Sequence, residues 1–440
     1  MLMRATDRVA GLRAREFARL DRTATVYLDY TGAALYPASL VRRDARRLRA
    51  AVRGNPHAES GPSCASTAAT ERARALTLEF CGADPAVYDV VFAANASGAI
   101  RILAEAFPFD RNSRLVLTAD NHNSVNGLAW PARRAKARAT LVALAGDLRG
   151  TDPEAALVRV PGPSLFAFPA QSNFSGVRHP LEWVRVAQAR GYRVLLDAAS
   201  FAPGACLDLR AAPADFVALS FYKIFGYPTG IGALIARRDA LAALRRRYFG
   251  GGTVDYVSMP HWLVQRKVGA ARFEDGTVSF LAMDAVCDGL RWMSRLGVDA
   301  VARHGAAMTE RLLEMLQSCG EAVEVYGPDG MNARGGTVAF NVRRDGRLLP
   351  YEQVEAAARA RGIAIRGGCF CNPGAAAHAL GLDAARMRAC LRGDFSIPRF
   401  RDCMGDGAVG ALRASVGLAT NDGDIQRLGA LIAGVSAGRS

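Results

Sequence analysis

One apolar run that leads into a lysine constrains this chain more than any other stretch. Residues 215–234 read DFVALSFYKIFGYPTGIGAL. Phe216 to Phe221 carries aromatic and aliphatic residues in the manner of a buried strand. The strand is expected to end on Lys223, and a turn-rich segment with Gly226, Pro228, Gly230 and Gly232 follows. A lysine at the end of a buried strand needs a partner, because the ammonium is almost never fully buried alone. The chain holds 56 Lys and Arg together, yet its only lysines are Lys136, Lys223 and Lys267. Arginine is therefore the default cation, and the one lysine set in an apolar strand points to amine chemistry. Lysine can lose its proton and form a Schiff base, whereas arginine stays charged. The plainer alternative is a snorkelling lysine at a strand end.

The segments before it repeat one pattern, an apolar run followed by small polar residues. In VYDVVFAANASGAIRILAEAF (87–107) a strand runs into Asn95-Ala96-Ser97-Gly98 and a helix starts at once. That geometry aims free backbone N–H groups at an anion, with Ser97 as helix cap or phosphate ligand; an ordinary capped helix is the alternative. RLVLTAD (114–120) leads to His122, whose flat ring is placed to stack on a planar cofactor. SLFAFPAQSNFSG (164–176) leads to Asn173, and YRVLLDAASF (192–201) ends in Asp197, a carboxylate that needs a cation after four apolar residues. Strands alternating with helices, with polar residues at successive strand ends, imply an α/β fold whose mostly parallel sheet carries one site along its edge.

At 440 residues the chain suggests more than one domain. Residues 1–24 read as an amphipathic helical arm, 25–296 as a large domain whose residues 25–60 are candidates to pack with the small domain, and 297–440 as that smaller α+β domain. No uncharged apolar run reaches the roughly 18 residues of a membrane span, and the N-terminus lacks a secretory pattern. Nine scattered cysteines argue against a disulfide framework and for a reducing cytoplasm. The Cys369–Cys371 pair is weak evidence for zinc, so no metal is expected. The net charge of +15 is spread along the chain without a basic-aromatic module, which argues against nucleic-acid binding and leaves an anionic substrate open.

Eight motifs together carry a family resemblance: YLDYTGAAL, GNPH, FAFPAQSNFSG, LLDAASF, LSFYKIFGYPTG, FGGGT, FEDGT and RGGCFCNPGA. Spread from about residue 27 to 420, they resemble the fold-type I pyridoxal-phosphate enzymes of aminotransferase class V. Within that class they are similar to the pyridoxal-phosphate domain of molybdenum cofactor sulfurases and to cysteine desulfurases. The resemblance implies a seven-stranded-type sheet flanked by helices and a homodimer with shared active sites. It implies pyridoxal 5′-phosphate bound to Lys223, with Asp197 on the ring nitrogen, His122 stacked on the ring, and Asn173 and Ser200 near the ring hydroxyl. Ala96 and Ser97, with Ser220 and Tyr222, would hold the phosphate, and Thr277 would reach the partner subunit's phosphate. Arg366, assisted by Arg413, would clamp the substrate carboxylate. Cys371 aligns with the persulfide-forming nucleophile, and a strand-like turn would put Cys369 on its face. Asn55, Cys369 and the 250–256 loop would bound the substrate.

The expected activity is sulfur transfer from L-cysteine, or a cysteine conjugate, through a Cys371 persulfide to an acceptor. Sulfuration of the molybdenum cofactor itself is not expected first. The alternative enzyme is a C–S lyase, or a decarboxylating or deaminating enzyme, acting on an S-conjugated cysteine in natural-product biosynthesis without using Cys371. A basic nucleic-acid binder or scaffold is the non-enzymatic alternative.

Overall fold

The computed structural model describes residues 9, 11–405 and 408–438. A short strand, Val26–Tyr27 (β1), comes first. Seven apolar segments then build the principal sheet: Tyr88–Ala93 (β2), Arg114–Thr118 (β3), Arg138–Val142 (β4), Ser164–Pro169 (β5), Tyr192–Asp197 (β6), Phe216–Ser220 (β7) and Gly232–Arg237 (β8). Their order is β2-β8-β7-β6-β5-β3-β4. Strand β8 runs antiparallel to both β2 and β7, and the other pairings are parallel. The expected mostly parallel α/β sheet is thus present.

Period-two alternation divides the strand side chains between two cores. Val90, Val194, Leu196, Val217 and Leu219 pack on one face, beneath helices Gly61–Phe80 and Phe280–Leu296. Val91, Leu115, Leu117, Leu195 and Ala218 pack on the other, beneath helix Ala96–Ala106. Burial on both faces is why these strands read as unbroken apolar runs, and each buried aliphatic side chain contributes about 1.5–3 kcal/mol.

Val254–Ser258 (β9) and Leu263–Arg266 (β10) form a hairpin that leaves Tyr256, Trp262 and Leu263 exposed. Later come Val323–Tyr326 (β11), Thr337–Arg344 (β12), Arg347–Leu348 (β13), Ile363–Ala364 (β14), Arg366–Gly368 (β15) and Ala411–Ser415 (β16). An antiparallel sheet of order β11-β12-β16-β15, with β13 on β12, gathers most of them. Strand β1 joins this part of the molecule: Val26 pairs in parallel with Ile363, and Asp29 bridges to Ser415. Val26 and Leu28 share a core with Leu312, Phe340, Leu412 and Leu428.

One reading of the sequence falls partly outside the described residues, and one, on the cysteines, is corrected. The helical arm over 1–24 falls partly on residues 1–8 and 10, outside the described residues; within them Leu12–Glu16 and Arg19–Arg22 are helical. Residues 363–366 are split between two pairings: Ile363–Ala364 pairs with β1, whereas Arg366 pairs with Arg413 on β16. Cys390 and Cys403 are joined by a disulfide, with Cα atoms 5.7 Å apart. The two helices Ala384–Cys390 and Ile397–Met404 bring them within disulfide reach, which counting cysteines along the chain does not show. Among the described residues no helix is long and apolar enough to cross a membrane, and no cluster of His, Cys, Asp or Glu is arranged for a metal ion.

Candidate active site

The carboxyl ends of the parallel strands converge on one edge, where open α/β sheets bind ligands. Strand β6 ends on Asp197 and β7 on Ser220. Two residues past the end of β3 the chain turns to Asn121 and His122, and β5 runs on to Gln171, Ser172 and Asn173. Lys223 lies just beyond β7. It is not on the strand, as the apolar run suggested, but in the short helix Phe221–Phe225 that Gly226 closes at φ 78°. The break is hidden in the sequence because Phe221 and Ile224 pack into the same core as Leu219.

Burial pushes the Lys223 ammonium below the ordinary lysine range. The negative charge of Asp197 opposes that shift, and Arg413 and Arg366 reinforce it. His122 is also lowered, first by burial and then by Lys223 and Arg413, with Asp197 opposing. Its Nδ1 accepts from the Ser124 N–H at 3.1 Å and lies 3.0 Å from the Ser124 Oγ. Asp197 is buried and accepts from the Ala199 N–H at 3.0 Å, and among the described residues it has no ion pair. A carboxylate so placed calls for a cation.

The anion cradle differs in one detail from the expectation. Asn95, not Ser97, caps the helix Ala96–Ala106: its backbone is extended and its side chain accepts from the Gly98 N–H at 2.9 Å. Ser97 is left exposed, its Oγ 2.5 Å from that of Ser124, and so is available to a ligand. The Ala96 N–H donates to the Ser220 Oγ at 2.9 Å, joining the helix start to the end of β7. Burial raises the pKa of Tyr222, while a hydrogen bond with Ser220 opposes the shift. The donor set fits pyridoxal phosphate: an unpaired carboxylate for a ring nitrogen, a partly buried amine for an aldehyde, and a helix N-terminus with hydroxyls for a phosphate.

Asp29 is the site residue that sequence reasoning missed. Arg366 donates to both of its oxygens, at 2.6 Å from Nη2 to Oδ2 and 3.2 Å from Nε to Oδ1, and Arg413 Nη2 donates to Oδ1 at 2.9 Å. Arg413 is buried, donates to the Asn173 carbonyl at 3.0 Å and lies 4.7 Å over the Phe370 ring. Arg366 is half-exposed. The only signal for Asp29 was its place in YLDYTGAAL, since its partners lie more than 300 residues away.

The loop bearing Cys371 is not strand-like. Phe370 and Cys371 hold φ 55° and 56°, in the left-handed region that non-glycine residues rarely occupy. Four hydrogen bonds hold the loop there. Asn173 Nδ2 donates to the Phe370 carbonyl at 2.7 Å, the Asn123 N–H donates to the Cys371 carbonyl at 2.7 Å, and Asn372 Nδ2 donates to the Asp120 carbonyl at 2.7 Å and to Asn173 Oδ1 at 2.9 Å. Asn372, fully buried, was also not singled out from the sequence. Cys369 and Cys371 are exposed. Gly374 is obligatory for this seat, because a Cβ there would lie 1.9 Å from the Ala119 carbonyl oxygen.

Ser200 lines a cavity together with Lys223. Asn55 and Thr277 meet each other, Nδ2 to Oγ1 at 3.2 Å, in an exposed cluster with His57 and the 250–252 glycines. Among the described residues no hydrogen bond or ion pair links that cluster to Lys223 or Asp29.

A family model described as Aminotransferase class-V matches residues 26–428. The molybdenum cofactor sulfurase of Bos taurus is 34% identical over 94% of this chain and 50% of its own length. That of Homo sapiens is 35% identical over 94% and 50%. The chain therefore spans about half the length of these curated relatives. The apo structure of a cysteine desulfurase from Thermococcus onnurineus NA1 shares the fold, with a TM-score of 0.82 and 23% identity over 99% of each chain.

Proposed function

Because the chain belongs to the aminotransferase class-V family and is a pyridoxal-phosphate enzyme of the cysteine desulfurase-like kind, we propose that it takes sulfur from L-cysteine, or from a cysteine conjugate, onto Cys371. One observation carries this reading. The Cys371 loop is tied by backbone and amide hydrogen bonds to the His122 and Asn173 segments, at the same sheet edge as Lys223 and Asp197.

The bound cofactor supplies an electron sink for the substrate Cα. Lys223, its ammonium destabilised by burial, would hold the cofactor by its aldehyde and would accept the substrate Cα proton. Asp197 would supply the negative charge for the protonated ring nitrogen, and His122 would help hold the ring. The start of helix Ala96–Ala106, Ser97, Ser220 and Tyr222 would hold the phosphate. Asn173 and Ser200 would hold the ring hydroxyl. Arg413 and Arg366, balanced against Asp29, receive the substrate carboxylate, and with Asn55 they bound the substrate. The Cys371 thiolate attacks the substrate sulfur: an S–S bond forms, the Cβ–S bond breaks, and the carbon product leaves as alanine after protonation. Sulfur stays on Cys371 for an acceptor, as a persulfide when the substrate is cysteine and as the mixed disulfide with the S-substituent when it is a conjugate. Thr277 completes the partner subunit's site in a homodimer.

Two measurements test this. Protein incubated with pyridoxal phosphate should turn yellow, and borohydride should fix the cofactor on Lys223, as peptide mass spectrometry reads. Cys371→Ser should keep the colour and lose both alanine release and the persulfide mass. If Cys371→Ser retains turnover on an S-conjugate with pyruvate as product, β-elimination replaces sulfur transfer.

A further inference from the structure

Lys223 borders a second space that the reaction above does not use. A cavity of about 100 Å³, measured for the centres of water-sized molecules, lies between the large sheet, helix Val298–Ser318 and the loop 331–337. One water needs roughly 10–15 Å³ on that measure, so the space holds a chain of several carbons. One wall carries Lys223, Ser200 and Thr31, and the body is apolar, with Trp292, Val301, Val416 and Leu418.

Two further cations line it. Arg334 is 3% exposed, its Nε finds no acceptor, and its other nitrogens reach only the carbonyls of Pro328 and Thr337. Arg178 donates to Gln171 Oε1 at 3.1 Å and to the Gly204 carbonyl at 3.3 Å. Burial pulls both guanidinium groups below the usual arginine range, Arg334 to about 10. Among the described residues neither is ion-paired, and the cavity wall contains no carboxylate at all. Two guanidinium groups beside an apolar space, neither of them ion-paired and only Arg334 within the field of a carboxylate, Asp329, make an arrangement that a bound anion would relieve. Gly335 leaves room for the side chain that orients Arg178: a Cβ there would fall 1.8 Å from Gln171 Oε1.

We propose that this cavity is an anion subsite that receives the carboxylate end of an S-substituent on cysteine. The enzyme would thereby prefer cysteine conjugates that carry an apolar chain ending in an acid. This inference rests on the function proposed above, since the conjugated amino acid would react at Lys223 while its tail crosses the cavity toward Arg178 and Arg334.

The test compares two conjugates on the holoenzyme, S-(4-carboxybutyl)-L-cysteine and its terminal amide. The expected result is a KM about tenfold lower for the acid, equalised in Arg178→Gln and in the cavity-filling Ala302→Leu. Hexanoate should compete with the acid-ended conjugate, and calorimetry should show it binding the wild type and not Arg178→Gln. Equal KM values for acid and amide in the wild type, or a preference that survives both substitutions, overturns the proposal. A colourless protein that still binds hexanoate through Arg178 would sink the function proposed above and leave the anion subsite standing.

Discussion

At the scale of single residues, Asp29 and its two arginines set the electrostatics of the substrate end. Removing one member of a buried charge group leaves the other charged and unpaired, at a cost of roughly 3–5 kcal/mol. Asp29→Ala orphans the buried Arg413, so urea unfolding of the cofactor-free protein should show a loss of that order. Arg366→Ala should cost about 1 kcal/mol or less, because its side chain is 49% exposed, and should instead raise KM for the amino acid. His122 provides a pH signature. Burial holds it below its ordinary value of 6.5, so the unfolded chain binds more protons as pH falls. Stability is therefore fully present above about pH 6.5 and declines below it. Thermal melts of the cofactor-free protein at pH 7.5 and 5.5 should separate, and His122→Gln should narrow the gap.

At the scale of elements, the loop 369–372 and the helix after it act as one clamp. Gly374→Ala would push the helix Pro373–Ala379 off Ala119 and should destabilise the protein by about 1–3 kcal/mol. Persulfide formation should fall at least as steeply as stability, read by trapping with an alkylating reagent, because Cys371 rides on the same turn. The elements also show what sequence could and could not disclose. Lys223, Asp197, Ser220 and His122 stand out because each follows an apolar run, and a polar group at the end of a buried strand has few reasons to be there. Asp29 and Asn372 do not stand out, because their partners Arg413, Asn173 and Asp120 lie 199 to 384 residues away. The Asn95 cap was obscured by the neighbouring serine, and the hairpin β9–β10 by exposed aromatics that mimic no buried pattern.

At the scale of the whole molecule, that hairpin and its surroundings expose several large apolar side chains. Tyr256, Trp262 and Leu263 are 66–70% exposed and Val268 is 87% exposed. Large apolar patches of this kind mark protein interfaces. Light scattering should give a mass twice the 46.8 kDa of one chain, and Trp262→Asp should give the monomer with its secondary structure intact. Mixing Lys223→Ala and Thr277→Ala subunits should restore activity that neither has alone, since the hybrid regains one site with both residues.

The Asp29–Arg366–Arg413 triangle closes between residues 337 and 384 positions apart. During synthesis the ribosome must therefore deliver nearly the entire polypeptide before the carboxylate-binding corner can exist. A nascent fragment ending short of residue 413 carries the lysine and the cysteine but lacks the buried guanidinium, so ordered chemistry waits on the last strand to emerge.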